Sequence, residues 1–302
     1  VSTVPLDGLL PNSQVIRVFP TRNKWTPDDE MAFVGQPPLY RPGTEYTSVR
    51  VSCTFTWERS YAEKLADSWR MYYRDVRVGG PAYDDPAGEF VPGRFLKHGC
   101  VITSRGCPKK CGWCKVPFSE GDLRYLSIKP GFIVQDNNLL ACERKHLEAV
   151  FAMLREQDRP IYFNGGLDKH FLQPWHRELF DSIKIGELWF ACDVGGKDID
   201  WLRRAKEICE GISVNKMRCY TMIGYDDETL ADAKHRCETV YSMGFLPFSQ
   251  LYQPPTADMP TKVYSQEWKA LNRYWSRPAI YRARPTQEAS GDAAMREEAK
   301  RR

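Results

Sequence analysis

Hydrophobic positions change period several times along the chain, and each change predicts an element. Val49, Val51, Cys53 and Phe55 alternate as in a strand, whereas Tyr61, Leu65, Ala66 and Trp69 recur at helical spacing. Asp75 to Val78 reads as the next strand and stops at Gly79-Gly80-Pro81, so this region predicts one βαβ unit. Residues 1–45 are rich in Pro, Gly, Asn and Asp with little periodicity, which predicts an irregular arm.

From Gly99 onward strands and helices alternate. Strands are predicted at Cys100–Thr103, Phe132–Val134, Ile161–Phe163, Leu188–Ala191, Cys219–Ile223 and Leu246–Tyr252. Between them, Arg144–Leu154, the stretch carrying Ile199, Leu202, Ala205 and Ile208, and Glu228–Gly244 show helical periodicity. This order predicts an α/β fold with parallel strands and helical crossovers. The polar or glycine-rich turns all follow strands, on the side where parallel arrays gather their active sites. Trp268, Leu271, Tyr274 and Trp275 form an amphipathic stripe, predicted to cap the open side of the array. The expected divisions are 1–96, 97–255, a helical cap over 256–287 and a charged tail over 288–302.

Composition narrows the class. With 42% hydrophobic residues in 302, the chain can bury one large α/β domain or two smaller ones. It has no apolar run long enough to span a bilayer and no signal segment, so a cytoplasmic protein without a membrane partner is expected. The net charge of +4 is spread among nearly as many acids and does not by itself argue for nucleic acid. The stretch from Glu288 to Arg302 reads as a solvated tail, with a basic nucleic-acid contact as the alternative. Ten cysteines fall short of a disulfide scaffold and suit a reducing compartment.

Three of those cysteines, Cys107, Cys111 and Cys114, are separated by three and two residues. Soft thiolates at this spacing suit an iron–sulfur cluster held at three irons, the fourth left open. A structural zinc site wants four ligands in close pairs, and the nearest other thiol, Cys100, is seven residues upstream of Cys107. A ferredoxin-like carrier would need a fourth cysteine in a spacing that is absent. The segment Ile102 to Cys114, with its Ser-Arg-Gly-Cys-Pro lead-in and Trp113, resembles the signature loop of radical S-adenosylmethionine (radical SAM) enzymes. The resemblance covers roughly residues 97–255. It implies a partial (β/α)6 barrel of radical SAM type with a short N-terminal βαβ extension. Val-Gly-Gly-Pro at 78–81 resembles the group that adds a cobalamin-binding region, but no histidine precedes His98, and Asp168 to His170 is followed by Phe-Leu-Gln. A shortened remnant without cobalamin is therefore expected.

The resemblance implies one 4Fe–4S cluster on Cys107, Cys111 and Cys114. It further implies S-adenosylmethionine chelated at the open iron, a 5'-deoxyadenosyl radical on reduction, and an electron donor such as flavodoxin or ferredoxin. Trp113 would pack between cluster and adenine, or else in the core. Lys109 and Lys110 would add positive potential, or simply be solvated. Two turns compare with the family's Gly-Gly-Glu element, which takes the methionine amino group: Gly165 and Gly166 with Asp168 by composition, and Asp136 with Asn138 by position. Asp193 falls where the family has an acid near the ribose, although Asp is also an ordinary turn residue. Tyr220 to Thr229 resembles the fifth-strand motif, with Gly224 supporting adenine; as a plain helix start, Asp226 or Asp227 would cap it. No catalytic residue for the substrate can be named. Nucleotide or nucleic acid, peptide and small metabolite stay open, with the basic end and aromatic richness pointing to the first. The rival readings are a metal-stabilised nucleic-acid-binding module and a radical SAM fold without turnover.

Overall fold

The computed structural model describes residues 14–40, 42–43, 48–85, 88–256 and 259–283; the charged tail and the first 13 residues lie outside them. The chain divides into two compact units, one reaching to Trp189 and including Gln253–Lys262, the other holding Phe190–Tyr252 and the chain from Val263 onward.

The first unit opens with β1 (Val15–Phe19), β2 (Ala32–Val34), β3 (Ser48–Ser52), α1 (Arg59–Arg70) and β4 (Asp75–Gly79). These strands form a parallel sheet in the order β2-β1-β3-β4, with Val18 beside Val51 and Val51 beside Val78. The region expected to be an irregular arm thus supplies two strands. All five positions of β1 are buried, so the strand has no alternation to read. Its Arg17 stays inside because Asp29 pairs with the guanidinium and the Gly93 carbonyl accepts from it at 2.7 Å. On α1, Ala62, Leu65, Ala66 and Trp69 form the apolar stripe that closes over Ile16, Val18, Val49 and Val51.

The same unit continues through β5 (Cys100–Val101), β6 (Ser104–Arg105), α2 (Val116–Ser119), β7 (Arg124–Tyr125), β8 (Ile133–Val134), α3 (Arg144–Arg155), β9 (Ile161–Phe163) and α4 (His176–Asp181) into β10 (Ile185–Cys192). Parallel pairing joins β5 to β8, β8 to β9 and β9 to β10. Helix α3 buries Leu147, Val150, Phe151 and Leu154, and Phe151 lies 5.7 Å from Phe163 and 5.9 Å from Phe180 between ring centroids. The short antiparallel pair β6–β7 at the root of the cysteine loop was invisible to periodicity, because two residues per arm carry none.

Beyond β10, the second unit holds α5 (Lys197–Ile208), β11 (Met217–Ile223), α6 (Leu230–Ser242), β12 (Leu246–Leu251), α7 (Gln266–Trp275) and α8 (Pro278–Ala283). Strands β11 and β12 run parallel from Arg218 beside Leu246 to Ile223 beside Leu251. Trp275 and Tyr281 are buried with Ile223, Ala233, Cys237 and Leu246, and Trp268, Leu271 and Tyr274 pack against that cluster. The C-terminal stripe is therefore core of this unit. Among the described residues no helix is long and apolar enough to cross a membrane. The architecture is α/β with parallel sheets.

Candidate functional site

The cysteine loop leaves β5 and is tied at its root. Arg105 of β6 pairs with Glu120 at 2.9 Å, and Arg124 of β7 meets the same carboxylate at 2.7 Å. Gly106 has φ +79°, and a Cβ there would lie 2.1 Å from the Asp122 carbonyl oxygen, so only glycine fits just before Cys107. The Gly106 N–H donates to Asn137 Oδ1 at 2.9 Å, that of Cys107 to the Gly121 carbonyl at 3.2 Å, and that of Cys114 to Cys111 at 3.0 Å. Cys107, Cys111 and Cys114 are partly exposed and form no disulfide, while the other seven cysteines are buried.

The turn after β8 braces this loop. Asp136 is fully buried; it accepts from the Thr103 N–H at 2.9 Å and from the Thr103 and Ser104 hydroxyls at 2.7 Å each. Burial raises its carboxyl above the ordinary range, more than these donors lower it. His146 Nε2 lies 3.2 Å from Thr103 Oγ1 and extends the network. Asn138, 3% exposed, donates from Nδ2 to Cys107 Sγ and to Asp168 Oδ2, each at 3.3 Å. Its Oδ1 is buried without a hydrogen-bond partner, an acceptor left for a donor.

The turn after β9 supplies the other wall. Asp168 accepts from the His170 N–H at 3.0 Å, lies 2.7 Å from His170 Nδ1 and pairs with Lys109 Nζ at 3.2 Å. Lys109 Nζ is also 3.0 Å from His170 Nδ1. Burial works to raise the Asp168 carboxyl, but the hydrogen bonds from His170 and the Lys109 charge outweigh it and hold the group below the usual range. Lys109 is thus an anchored residue of the cysteine loop, contrary to its reading as solvated. A Cβ on Gly165 would lie 2.1 Å from the Asp136 carbonyl oxygen, whereas Gly166, at φ +105°, faces nothing within 4 Å.

Cys107, Lys109, Asn138 and Asp168 therefore form one contact network, braced by Asp136 and Gly165. Sequence reasoning singled out all of these but overlooked Thr103, Ser104 and His146, and weighed His170 only as part of a cobalamin motif. The Asp168-x-His170 spacing was visible, and it works here as a local pair rather than as a metal motif. Among the described residues no three His, Cys, Asp or Glu side chains converge as ligands of a single ion. A cluster of several irons asks for less convergence, since each thiolate binds a different metal. Three partly exposed thiols on one tied loop, beside an unpartnered buried acceptor, fit such a group together with a ligand bearing N–H donors.

Trp113 sits in the loop, partly exposed. In the second unit, the Asp193 and Val194 N–H groups donate to Asp198 Oδ2 at 2.9 and 3.1 Å. Gly224, φ +76°, has its N–H bound by Glu228 Oε2 at 2.7 Å, and a Cβ there would lie 2.6 Å from the Tyr264 ring. Thr229, not Asp226 or Asp227, caps α6 by accepting from the Asp232 N–H, while Glu228 reaches back to Gly224 and pairs with Arg236 at 2.5 Å. Asp193 and Glu228 line a cavity of about 770 Å³ that also carries Asp226, Asp227, Asp232 and Arg236.

No family model matches the chain. A stretch of 91 residues is 32% identical to the tRNA-2-methylthio-N(6)-dimethylallyladenosine synthase of Christiangramia forsetii, covering 29% of this chain and 18% of that protein. The chain thus matches less than a fifth of the curated relative's length, and its similarity to that synthase is confined to one segment.

Proposed function

We propose that the chain is a radical SAM enzyme in which Cys107, Cys111 and Cys114 hold one 4Fe–4S cluster and S-adenosylmethionine binds beside it. The observation that carries this reading is the bond from Asn138 to Cys107 Sγ, made while the other end of the same side chain keeps a buried acceptor free. The segmental similarity to a tRNA-modifying synthase supports it and favours a base in nucleic acid as the target. In this reading residues 97–255 are the partial (β/α)6 barrel, the protein works in the cytoplasm, and a flavodoxin or ferredoxin supplies electrons.

Held by Cys107, Cys111 and Cys114, such a cluster would supply the electron for reductive cleavage of S-adenosylmethionine and so give access to a 5'-deoxyadenosyl radical able to take hydrogen from a substrate. The chain's own residues do the holding. Asn138 Oδ1 accepts from the methionine ammonium. Asp168, its oxygens already engaged by His170, Asn138 and Lys109, positions Asn138 and the loop rather than meeting the cofactor itself. Asp136 fixes the end of β5, from which the loop departs. The open side of Gly166 admits the ligand and Trp113 covers it.

Anaerobic reconstitution with iron and sulfide tests the assignment. The chain should take up iron and visible absorption, Cys111→Ala should lose both, and dithionite with S-adenosylmethionine should yield 5'-deoxyadenosine. Zinc in place of iron, or a loaded cluster that leaves S-adenosylmethionine intact, would overturn it.

A further inference from the structure

A second cavity, of about 190 Å³, lies within the first unit, and none of Cys107, Asn138 and Asp168 lines it. One wall is made by the carboxyl ends of β3 and β4, through Ser52, Gly80 and Pro81, where open parallel sheets take their ligands. Gly80 keeps that wall low: it has φ +100°, and a Cβ would lie 2.9 Å from the Cys53 carbonyl oxygen. The lining also carries apolar and aromatic side chains, Phe90, Phe95, Leu96 and Ile102. Arg105 and Glu120, the ion pair at the root of the cysteine loop, line it as well.

Size and chemistry together select the occupant. A void of about 150 Å³ takes one benzene, so the enclosed part of this one suits a single flat ring system, with an attached sugar and phosphate left outside it. A purely hydrocarbon guest would leave the polar part of the lining without purpose, since Ser52, Thr54, Glu89 and the buried Arg94 also face the space. Flat apolar faces with a hydrogen-bonding edge describe a nucleobase, and enzymes that modify a base within a strand turn it out into a pocket of this kind. We propose that this cavity receives one nucleobase of the substrate, its ring between the strand ends and Phe90, Phe95 and Leu96, its edge read by the hydroxyl and charged groups. What is then done to the base rests on the radical SAM reading; the binding does not.

The test uses the full, cluster-loaded chain, with saturating S-adenosylhomocysteine filling the cofactor's own adenine site. Adenine and uracil are the probes, with toluene as the hydrocarbon control, all measured by equilibrium dialysis. At least one base should bind saturably, one per chain. Thr54 is exposed at the cavity, so Thr54→Trp should fold normally and weaken that binding by about tenfold or more, while Thr54→Ser keeps it. Leu96→Trp, at another lining residue, should act like Thr54→Trp. The inference fails if neither base binds, if both tryptophan variants bind like the parent, or if toluene binds as well as the bases. Iron measured on the same samples separates the two readings. Loaded chain that ignores both bases sinks only this inference, whereas base binding by chain that takes up no iron sinks only the cluster assignment.

Discussion

Asp136 is a buried carboxylate whose worth depends on the donors around it. Asp136→Ala strands the buried Thr103 N–H and should cost about 1–3 kcal/mol in urea unfolding. Asp136→Asn keeps an acceptor for that N–H and removes the charge. Because burial raises the native carboxyl, the folded state holds its proton more tightly than the unfolded one. The parent should therefore lose stability relative to Asp136→Asn as pH rises from about 4 and level off once the native group is ionised; a pH-independent difference would contradict the raised value. Gly165 is a second point of strict demand. Gly165→Ala would set a Cβ 2.1 Å from a backbone oxygen, and its melting should show a loss of about 1–3 kcal/mol. Motif spacing pointed to Cys107 and Asn138 separately. That they touch was not legible, since 31 residues separate them and nothing local records the contact.

Elements were read where one face is buried and missed where burial is uniform or the element is too short. Helix α3 was predicted over Arg144–Leu154 and forms over Arg144–Arg155, because its stripe repeats over three turns. Strand β1 escaped because its five residues are all buried and one is an arginine, which reads as exposed until Asp29 is found beside it. The C-terminal stripe was recognised, and its partners came only from the fold. Trp275, 2% exposed, packs in the core of the second unit. Trp275→Ala should cost about 3–5 kcal/mol on unfolding. At the start of α6, Thr229→Ala should cost about 1 kcal/mol, with no comparable loss for Asp226→Ala, since Thr229 alone of the two caps the helix.

For the molecule as a whole, a bound group that prefers the folded chain must stabilise it. Reconstituted protein should melt at higher temperature than the metal-free chain, and Cys111→Ala should abolish the difference; equal melting with full iron would mean that the loop contributes nothing to the fold. The sequence by itself determined the α/β class, most of the strands and helices, and the close spacing of three thiols, because periodicity and residue spacing are local properties of a chain. Only the tertiary structure decided that the N-terminal region is a four-stranded sheet, that Lys109 is held by Asp168 and His170, that Asn138 reaches Cys107 with an acceptor to spare, and that a ring-sized cavity opens beside the loop. Each of these depends on residues far apart in sequence meeting in space, and such meetings are fixed by packing and hydrogen-bond satisfaction across the whole fold.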